Sequence, residues 1–257
     1  MNVLVTGGTG ALGRDLVVAL RSAGHRVRVM SRRPGTGADW AQGNLATGKG
    51  LDAALADMDA VVHAGTAAAQ PWRLRATDVH GTRRLLEAAK RAHVKHIVYV
   101  SIVGLEGIAF PYYRAKLAAE AIVAEEIVPW SIQRATQFHT LMEIFLGAFS
   151  RLPRLCAIPF AWQFQPVDTR DVAARLVDAT AGGPVGRLQD FGGPEMRTFK
   201  TLAESWLKAR QLNKRLVNLP MPIKFSRQVA EGRLLSPGHM EGKTTFEQYL
   251  VRKHGRW

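Results

Sequence analysis

Short apolar runs and amphipathic stretches alternate along the N-terminal half of the chain. The runs Asn2–Val5, Ala60–His63 and His96–Val100 are rich in β-branched residues, which predicts buried strands. Between them, Ala11–Ala23 and Asp78–Ala89 carry apolar residues at helical spacing. This regular strand–helix alternation, without internal repeats, predicts an α/β fold built on a doubly wound parallel sheet.

A glycine-rich turn joins the first predicted strand to the first predicted helix. Its glycines fit both Gly8-x-Gly10-x-x-Gly13 and Gly7-x-x-Gly10-x-x-Gly13. In such a turn one glycine reverses the chain, one lets backbone N–H groups approach a pyrophosphate, and one packs the helix on the strand. An ordinary turn is the alternative, but the strand–turn–helix context favours a dinucleotide site. The predicted cofactor contacts here are Gly7, Thr9, Gly10, Ala11, Leu12 and Gly13.

The end of the second predicted strand indicates which dinucleotide binds. Residues 25–30 alternate valine with basic residues, and Ser31, Arg32 and Arg33 follow. A site for NAD usually places Asp or Glu about 20 residues past the glycines, where it binds the ribose hydroxyls. A guanidinium instead pairs with the 2′-phosphate of NADP. We therefore predict NADP(H) as the cofactor, with Arg32 and Arg33 as ligands; a solvated basic turn is the alternative.

Two later loops carry further candidate cofactor contacts. Asn44 and Leu45 follow a polar, glycine-rich stretch and either close over the adenine or form a plain turn. Ala64, Gly65 and Thr66 directly follow a predicted strand, at the sheet edge where ligands bind in open α/β folds. Their small side chains allow the ribose and the phosphates to approach closely.

Tyr112 and Lys116 lie one helical turn apart at the start of a helix predicted over residues 112–126. A free tyrosine loses its proton near pH 10, and a nearby cation together with an oxidised nicotinamide favours the phenolate. The phenol can then exchange a proton with a substrate oxygen while the nicotinamide exchanges hydride with the adjacent carbon. Lys116 can also bind the nicotinamide ribose. Tyr113 is the competing phenol, three residues from the same lysine.

Four segments together resemble the short-chain dehydrogenase/reductase superfamily, in particular its extended and atypical branches. They are Thr6–Gly13, Asp78–Thr82, Val98–Ser101 and Tyr112–Glu120. The chain is most similar to the NmrA-like NAD(P)H-binding proteins of that superfamily. The resemblance implies a Rossmann fold and an active site made of Asn, Ser, Tyr and Lys.

The resemblance assigns roles to individual residues. Tyr112 and Lys116 match the tyrosine and the lysine, and Ser101 is the candidate serine, which would bind and polarise the substrate oxygen. The chain carries Asp78 at the asparagine position, and an ionised aspartate cannot donate a hydrogen bond as asparagine does. In many relatives the active hydroxyl lies one or two positions past the first serine, where this chain has isoleucine and valine. The participation of Asp78 and Ser101 therefore stays open.

Composition and charge narrow the class of protein. The chain has 257 residues, a formal net charge of +14 and one cysteine, Cys156. A single cysteine excludes an internal disulfide and, with no recognisable signal peptide or membrane span, leads us to expect a cytoplasmic location. The basic residues are scattered and no nucleic-acid-binding module is recognisable, so we expect no nucleic-acid partner and no membrane partner. No metal site is expected.

The pattern changes after residue 135 and predicts two domains. An NADP-binding Rossmann domain covers residues 1–135, and residues 166–181 return to it. A small C-terminal lobe over 136–165 and 182–257 is expected to bind substrate at the nicotinamide end; beyond residue 220 it reads as a helix, a loop and a basic tail. Its aromatic side chains either line an apolar pocket or form ordinary core: Phe138, Phe149, Phe160, Trp162 and Phe164.

These features favour an NADP(H)-dependent oxidoreductase that acts on a small, fairly apolar carbonyl or enone-like compound, with Tyr112 as the proton donor. One alternative is a nucleotide-sugar epimerase or dehydratase, which usually needs a larger C-terminal lobe and a diphosphate clamp; Arg134, Arg151 and Arg154 are its candidates. The other is a non-catalytic NADP(H) sensor, which the incomplete tetrad favours and the Tyr112–Lys116 pair opposes. A homodimer is the default expectation.

Overall fold

The computed structural model describes residues 1–108, 110–125 and 128–255. The predicted helix end at residue 126 and the last two residues of the predicted lobe lie outside them. The strands are β1 (Asn2–Thr6), β2 (Arg26–Ser31), β3 (Trp40–Gln42), β4 (Ala60–His63), β5 (His96–Ile102), β6 (Trp130–Ala135), β7 (Leu155–Ile158), β8 (Gln163–Phe164), β9 (Gly186–Arg187), β10 (Arg197–Thr198) and β11 (Arg215–Asn218). The helices are α1 (Ala11–Ser22), α2 (Leu51–Leu55), α3 (His80–Arg91), α4 (Pro111–Glu125), α5 (His139–Phe149), α6 (Thr169–Ala181), α7 (Phe199–Ala209), α8 (Lys224–Ala230) and α9 (Phe246–His254).

Seven of these strands form one sheet in the order β3-β2-β1-β4-β5-β6-β9. β1 pairs in parallel with β2 on one side and with β4 on the other. The chain order therefore reverses between β1 and β4, and the carboxyl ends of these strands flank the crevice in which doubly wound sheets bind ligands. The predicted doubly wound parallel sheet is confirmed.

The helices bury apolar faces against this sheet. α1 buries Leu16 and Leu20 completely, as its helical spacing predicts. Gly24 follows α1 at φ +82° and its N–H donates to the carbonyl of Arg21 (3.0 Å), so it ends the helix as the expected glycine after the C-cap. Core residues of the central strands, such as Leu4 and Ile97, have no exposed surface.

Two compact units divide the chain. The first comprises Met1–Ser101, Phe110–Arg134 and Val172–Gln189, and the second comprises Ile102–Ala109, Ala135–Asp171 and Asp190–Trp257. These bounds differ from the predicted ones at short segments. Residue 135 and residues 166–171, which were predicted for the first domain, belong to the second unit. Residues 182–189 belong to the first unit because β9 pairs with Ser131 and Ile132 of the large sheet. Residues 102–109 belong to the second, where the Val103 N–H donates to the carbonyl of Ala135 (3.0 Å).

Aromatic side chains form much of the core of the second unit. The rings of Trp162 and Phe199 stack with their centroids 5.9 Å apart, and Phe164 meets Phe199 edge-on at 5.4 Å. Phe149 packs edge-on against Trp162, whose indole N–H donates to Ser226 Oγ (2.8 Å). Trp162 and Phe164 are therefore buried core residues, whereas Phe138, Phe149 and Phe160 are half-buried. Among the described helices, none has the length and apolar character needed to cross a membrane.

Candidate cofactor-binding and active site

A cavity of about 810 Å³ lies in the first unit, where β1, β2 and β4 end. Its volume is within the range of small-molecule sites. Ten predicted cofactor contacts line it: Gly7, Thr9, Gly10, Arg32, Arg33, Asn44, Leu45, Ala64, Gly65 and Thr66. Trp40, Gln70, Arg73 and Thr77 also line it, and no periodic or motif signal in the sequence singled them out. Ala11, Leu12, Gly13 and Lys116 are not among the lining residues.

The glycine turn explains why Gly13 lies away from the cavity. A Cβ atom on Gly13 would lie 2.1 Å from the carbonyl oxygen of Gly7, so this glycine packs α1 against the turn. Gly7 itself has φ +70°, and a Cβ atom there would lie 2.7 Å from the carbonyl oxygen of Ala64. Among the described side chains, none caps the start of α1 at Gly10, so the first N–H groups of the helix can bind an anion. Ala11 opens that first turn and Leu12 is buried behind it.

The guanidinium groups of Arg32 and Arg33 are exposed at this cavity. Their backbone is fixed, because Gln42 Nε2 donates to the carbonyl of Arg32 (3.2 Å) and Trp40 Nε1 donates to that of Arg33 (3.1 Å). Within the part of the chain that the structure describes, neither side chain forms an ion pair or hydrogen bond. Two uncompensated positive charges therefore lie beside the cavity.

The loop after β3 is closed by its own asparagine. Asn44 Oδ1 accepts a hydrogen bond from the N–H of Ala46 (3.0 Å), and the backbone N–H of Asn44 donates to the carbonyl of Lys49 (2.9 Å). Leu45 is buried beside Gly65, where an added Cβ would lie 2.8 Å from its side chain. Asn44 thus forms the turn that was one interpretation of this residue, and it also lines the cavity; its contact with the adenine stays a prediction.

A histidine-centred network supports the loop after β4. His63 is fully enclosed, and burial lowers its pKa to about 3, so the ring is neutral. The Thr82 hydroxyl donates to the carbonyl of Asp78 (2.5 Å), so it must accept from His63 Nε2–H (3.0 Å). His63 Nδ1 then accepts from the Thr6 hydroxyl (2.6 Å), which in turn accepts from the N–H of Gly65 (3.1 Å). His63 is therefore a packed strand-end residue that positions the loop.

Asp78 lies on a π-helical turn, Arg75–Val79, directly before α3. The sequence pattern predicted an ordinary helix from this residue onward. Inside this turn the carboxylate is buried and accepts from the Thr66 hydroxyl (2.5 Å) and from the N–H of Ala67 (2.9 Å). Burial raises the pKa of Asp78, and the Thr66 and Ala67 hydrogen bonds and the charge of Lys116 oppose that shift.

Tyr112 lies beside this carboxylate at the start of α4. Burial raises its pKa to about 12, the nearby Thr66 hydroxyl opposes the shift, and the negative charge of Asp78 adds to it. This direction is opposite to the one expected from a nearby cation, because in the structure burial outweighs any such attraction. Tyr112 is therefore a neutral phenol at neutral pH. Tyr113 is also buried, which raises its pKa.

Lys116 is buried one turn further along α4. Its ammonium donates to the carbonyl of Val100 (2.6 Å) and lies 4.0 Å from the centre of the Tyr99 ring. Burial lowers the pKa of Lys116 to about 8, and the carboxylates of Asp78 and Glu120 oppose the shift. The ammonium retains two further N–H donors for a ligand.

Ser101 lies inside β5, because the strand continues to Ile102 rather than ending at the serine. Its hydroxyl is buried and has no hydrogen-bond partner among the described residues. Buried hydroxyl groups of proteins are nearly always hydrogen-bonded, so this one is available to a ligand or a water molecule. The role of Ser101 in binding a substrate oxygen stays a prediction.

Of the three arginines proposed for a diphosphate clamp, Arg134 is paired with a buried glutamate. Arg134 donates through Nε and Nη2 to the two oxygens of Glu120 (2.8 and 2.7 Å), and both side chains are buried. Arg187 also reaches Glu120 (3.0 Å). Over residues 1–108, 110–125 and 128–255, no group of three or more His, Cys, Asp or Glu side chains is arranged to hold a metal ion.

Comparison with known proteins gives the family. Residues 7–140 match the family model described as NAD(P)H-binding. A (4-alkanoyl-5-oxo-2,5-dihydrofuran-3-yl)methyl phosphate reductase from Streptomyces griseus is 32% identical over 207 residues, which are 77% of this chain and 70% of that protein.

Solved structures share the fold at low sequence identity. A short-chain dehydrogenase/reductase superfamily protein from Agrobacterium tumefaciens, with bound NAD, gives a TM-score of 0.74 at 23% identity and covers 99% of this chain and 96% of its own. The NADPH-dependent quinone oxidoreductase QOR2 of Escherichia coli, with bound NADPH, gives 0.77 at 16% identity over 98% and 99%. The chain therefore belongs to the NAD(P)H-binding family, and it shares the fold of a solved short-chain dehydrogenase/reductase superfamily protein.

Proposed function

We propose that this protein is an NADP(H)-dependent reductase of small carbonyl or enone-like compounds, with Tyr112 as the proton donor. One observation carries the proposal: a single cavity is lined by the exposed guanidinium groups of Arg32 and Arg33 and also by Thr66 and Ala67, and Tyr112 packs against the apolar cluster to which Ala67 belongs. The arginine pair suits the 2′-phosphate of NADP(H), and Tyr112 supplies a phenol that packs near one wall of the cavity.

The residues present fit such a cofactor. The glycine turn leaves no space for a Cβ at Gly7, and the uncapped start of α1 suits the pyrophosphate. Lys116 is the ribose ligand in this proposal, through the N–H donors not bound to Val100. When bound, NADPH supplies the hydride, and the protein contributes orientation and the proton.

The charge state of the phenol favours the reductive direction. A tyrosine with a pKa of about 12 holds its proton at neutral pH and can donate it to a developing alkoxide or enolate oxygen. Ser101 is proposed to bind the same oxygen, because its buried hydroxyl has no partner among the described residues. Chemistry of this kind typically contributes about 10²–10⁴-fold to the rate.

The printed names of two similar proteins suggest the substrate class. The Streptomyces griseus relative is named as a reductase of a furanone methyl phosphate, an unsaturated lactone, and the Escherichia coli structure is that of a quinone oxidoreductase. Both compounds contain a carbonyl group conjugated to a carbon–carbon double bond. We propose conjugated carbonyl compounds, with and without a phosphate ester, as the first substrates to test.

The test compares two neighbouring phenols. Purified wild type, Tyr112→Phe and Tyr113→Phe are assayed for NADPH oxidation with a panel of conjugated carbonyl compounds. We expect Tyr112→Phe to lose about 10²–10⁴-fold in kcat and to keep its NADPH affinity, because only the proton donor is removed. Tyr113→Phe is the matched control. Unchanged turnover in Tyr112→Phe, or a larger loss in Tyr113→Phe, contradicts the assignment.

A non-catalytic NADP(H) sensor is the second candidate, favoured by Asp78 at the asparagine position and by the enclosure of Ser101 within β5. Tight NADPH binding without turnover across the panel would select it. The epimerase alternative loses one clamp candidate, because Arg134 is paired with Glu120. A cytoplasmic location, a homodimer and the absence of a nucleic-acid partner stay predictions.

A further inference from the structure

We propose that Arg73 and Gln70 form an anion-binding subsite in the cofactor cavity, and that the substrate carries a phosphate ester which this subsite binds. The inference rests on the proposed function, because it specifies the substrate of that reaction. Both residues line the cavity, and neither is among the predicted cofactor contacts. The subsite selects phosphorylated conjugated carbonyl compounds over those that lack the ester.

The loop that carries both residues is held by hydrogen bonds at its ends and in its middle. At its start, the Thr66 hydroxyl and the Ala67 N–H donate to the carboxylate of Asp78 (2.5 and 2.9 Å), which lies at its end. In its middle, the N–H of Gln70 donates to the carbonyl of Ala67 (2.7 Å), and the N–H of Arg73 donates to the carbonyl of Gln70 (2.8 Å). The backbone is therefore fixed where the two side chains line the cavity.

The strand order indicates that Arg73 and the arginine pair Arg32 and Arg33 lie on opposite sides of the glycine turn. The arginine pair follows β2, the glycine turn follows β1, and Arg73 belongs to the segment after β4. β1 lies between β2 and β4 in the sheet. Because neighbouring strands are about 4.8 Å apart, the ends of β2 and β4 are roughly 10 Å from each other. A dinucleotide that lies over the turn therefore extends from the arginine pair towards the side of Arg73.

Apolar packing links the loop of Arg73 to the proposed proton donor. The next residue, Leu74, is buried in a cluster with Ala67 and Ala115, and Tyr112 packs against that cluster. Ala115 and Tyr112 both belong to α4, which also packs against the π-helical turn that follows Arg73. The loop of the subsite is therefore in contact with the helix that carries the phenol, as a substrate that spans both requires.

The guanidinium group of Arg73 has donors to spare for an anion. It is half-buried, and within residues 1–108, 110–125 and 128–255 it forms no ion pair. Its hydrogen bond there, to the neutral side-chain oxygen of Gln70, is long (3.4 Å). A half-buried charge without a counter-ion is costly, and an oxyanion from solution removes that cost. A guanidinium donates to two phosphate oxygens at once, and the amide nitrogen of Gln70 supplies further N–H donors.

The phosphate groups of NADP(H) have proposed ligands elsewhere in the cavity. Arg32 and Arg33 are assigned to the 2′-phosphate, and the uncapped start of α1 is assigned to the pyrophosphate. Arg73 is the remaining arginine among the described residues that line the cavity. A phosphate ester at Arg73 binds the substrate by a group remote from the reacting carbon, and this binding energy helps to orient the carbonyl beside Tyr112.

A pair of compounds that differ only in the ester tests the subsite. A hydroxymethyl-substituted conjugated carbonyl compound and its phosphate monoester are assayed with wild type, Arg73→Gln and Arg75→Gln at saturating NADPH. We expect wild type to prefer the phosphate by about tenfold or more in kcat/KM, because the alcohol makes no charge-assisted contact with Arg73. Arg73→Gln should lose kcat/KM for the phosphate and with it the preference. Arg75→Gln is the matched control, since this exposed arginine of the following turn is not among the residues that line the cavity.

Anion binding without turnover gives a second readout. The three proteins, each saturated with NADP⁺ so that the cofactor site is filled, are titrated with inorganic phosphate by calorimetry. We expect saturable phosphate binding to wild type and to Arg75→Gln, and binding at least about tenfold weaker to Arg73→Gln. The NADPH dissociation constants of the three proteins should agree, because the proposed cofactor contacts do not include Arg73.

The failures of the two proposals are distinguishable. Equal kcat/KM for the alcohol and its phosphate in wild type overturns the subsite but leaves the loss of activity in Tyr112→Phe, and hence the proposed function, intact. Weaker NADPH binding in Arg73→Gln also overturns the subsite, because the arginine is then a cofactor ligand. If neither compound is reduced, the reductase assignment fails and the phosphate titration alone decides the anion site. A preference for the phosphate that is lost in Arg73→Gln and kept in Arg75→Gln, with matching phosphate affinities, supports the subsite.

Discussion

At the scale of single residues, burial acts on the two titratable groups of α4 in opposite directions. It lowers the pKa of Lys116 to about 8 and raises that of Tyr112 to about 12, because both shifts favour the uncharged form. At neutral pH the lysine is charged and the phenol is neutral. The pair therefore suits the binding of an anionic cofactor and the donation of a proton.

The lowered pKa of Lys116 predicts how NADPH binding depends on pH. The ammonium is present below about pH 8 and is lost as the pH rises through that value, so its attraction for the anionic cofactor disappears above it. We expect the NADPH dissociation constant of wild type to rise between about pH 7 and pH 9. Lys116→Met should bind NADPH more weakly at pH 7 and lack this rise. A rise of equal size in both proteins would assign the titration to another group.

The two arginines after β2 predict the choice between cofactors. Charge-assisted hydrogen bonds of this kind contribute about 1.5–3 kcal/mol each, which corresponds to about tenfold or more in affinity. Arg32→Ala and Arg33→Ala should therefore weaken NADPH binding by that factor and leave NADH binding nearly unchanged, as measured by fluorescence titration. Arg83→Ala removes the same charge from an exposed position on α3 and is the control. If Arg83→Ala weakened NADPH binding equally, the effect would come from the net charge of the protein and not from contacts of Arg32 and Arg33.

At the scale of elements, the geometry of the glycine turn and α1 depends on the absence of a side chain at Gly13. Gly13→Ala would place a Cβ 2.1 Å from the carbonyl of Gly7, where only backbone can yield. We expect the free energy of unfolding to fall by about 3 kcal/mol or more, because overpacking displaces the turn. NADPH binding should be lost with it. Urea denaturation and NADPH titration measure both.

A second helical glycine provides the matched control for that change. Gly147 lies in α5 with nothing within 4 Å of an added Cβ. Gly147→Ala should keep NADPH binding and stabilise the protein by about 0.5–1 kcal/mol, because alanine has the higher helix propensity. Equal effects of the two substitutions would show that the packing at Gly13 is not the cause.

Periodic elements were predictable from the sequence, and aperiodic ones were not. β1, α1 and β4 follow from apolar spacing and a glycine turn, because their pattern and their burial coincide. The π-helical turn at Asp78 inserts a residue that no hydrophobic period marks. The cationic residues near the C-terminus predict a basic tail, whereas the structure has helix α9 there, with a capping box of Thr245 and Gln248 at its start.

At the scale of the whole molecule, the division into units depends on contacts between residues far apart in sequence. β9 has only two residues, yet its pairing with Ser131 and Ile132 places residues 182–189 in the first unit. Such short pairings carry no local signal, so the central sheet was predictable from the sequence and these boundaries were not. The same limit applies to Thr66 and Asp78, since their hydrogen bond joins two separate segments.

The C-terminal helix predicts the acid sensitivity of the second unit. Glu143 on α5 is buried and accepts hydrogen bonds from the phenol of Tyr249 (2.6 Å), from His254 Nε2 (2.7 Å) and from Lys253, all on α9. The hydrogen bonds and charges of these residues outweigh desolvation and lower the pKa of Glu143 to about 2, from 4.5. The carboxylate therefore binds α9 to α5 as long as it stays ionised.

The direction of this pKa shift determines the pH range in which the stability is lost. Because the pKa of Glu143 is lower in the folded than in the unfolded state, its carboxylate stabilises the fold fully above about pH 4.5. This stabilisation declines as the pH falls toward 2. The shift corresponds to at most about 3 kcal/mol, so Glu143→Gln should lower the free energy of unfolding by up to that amount at pH 7. Urea denaturation from pH 7 to about pH 3 should show the difference from wild type shrinking with acidification. The control Glu87→Gln, at an exposed position on α3, should have nearly the wild-type free energy of unfolding at every pH. If the destabilisation by Glu143→Gln did not change with pH, the charge of Glu143 would not be what binds α9 to α5.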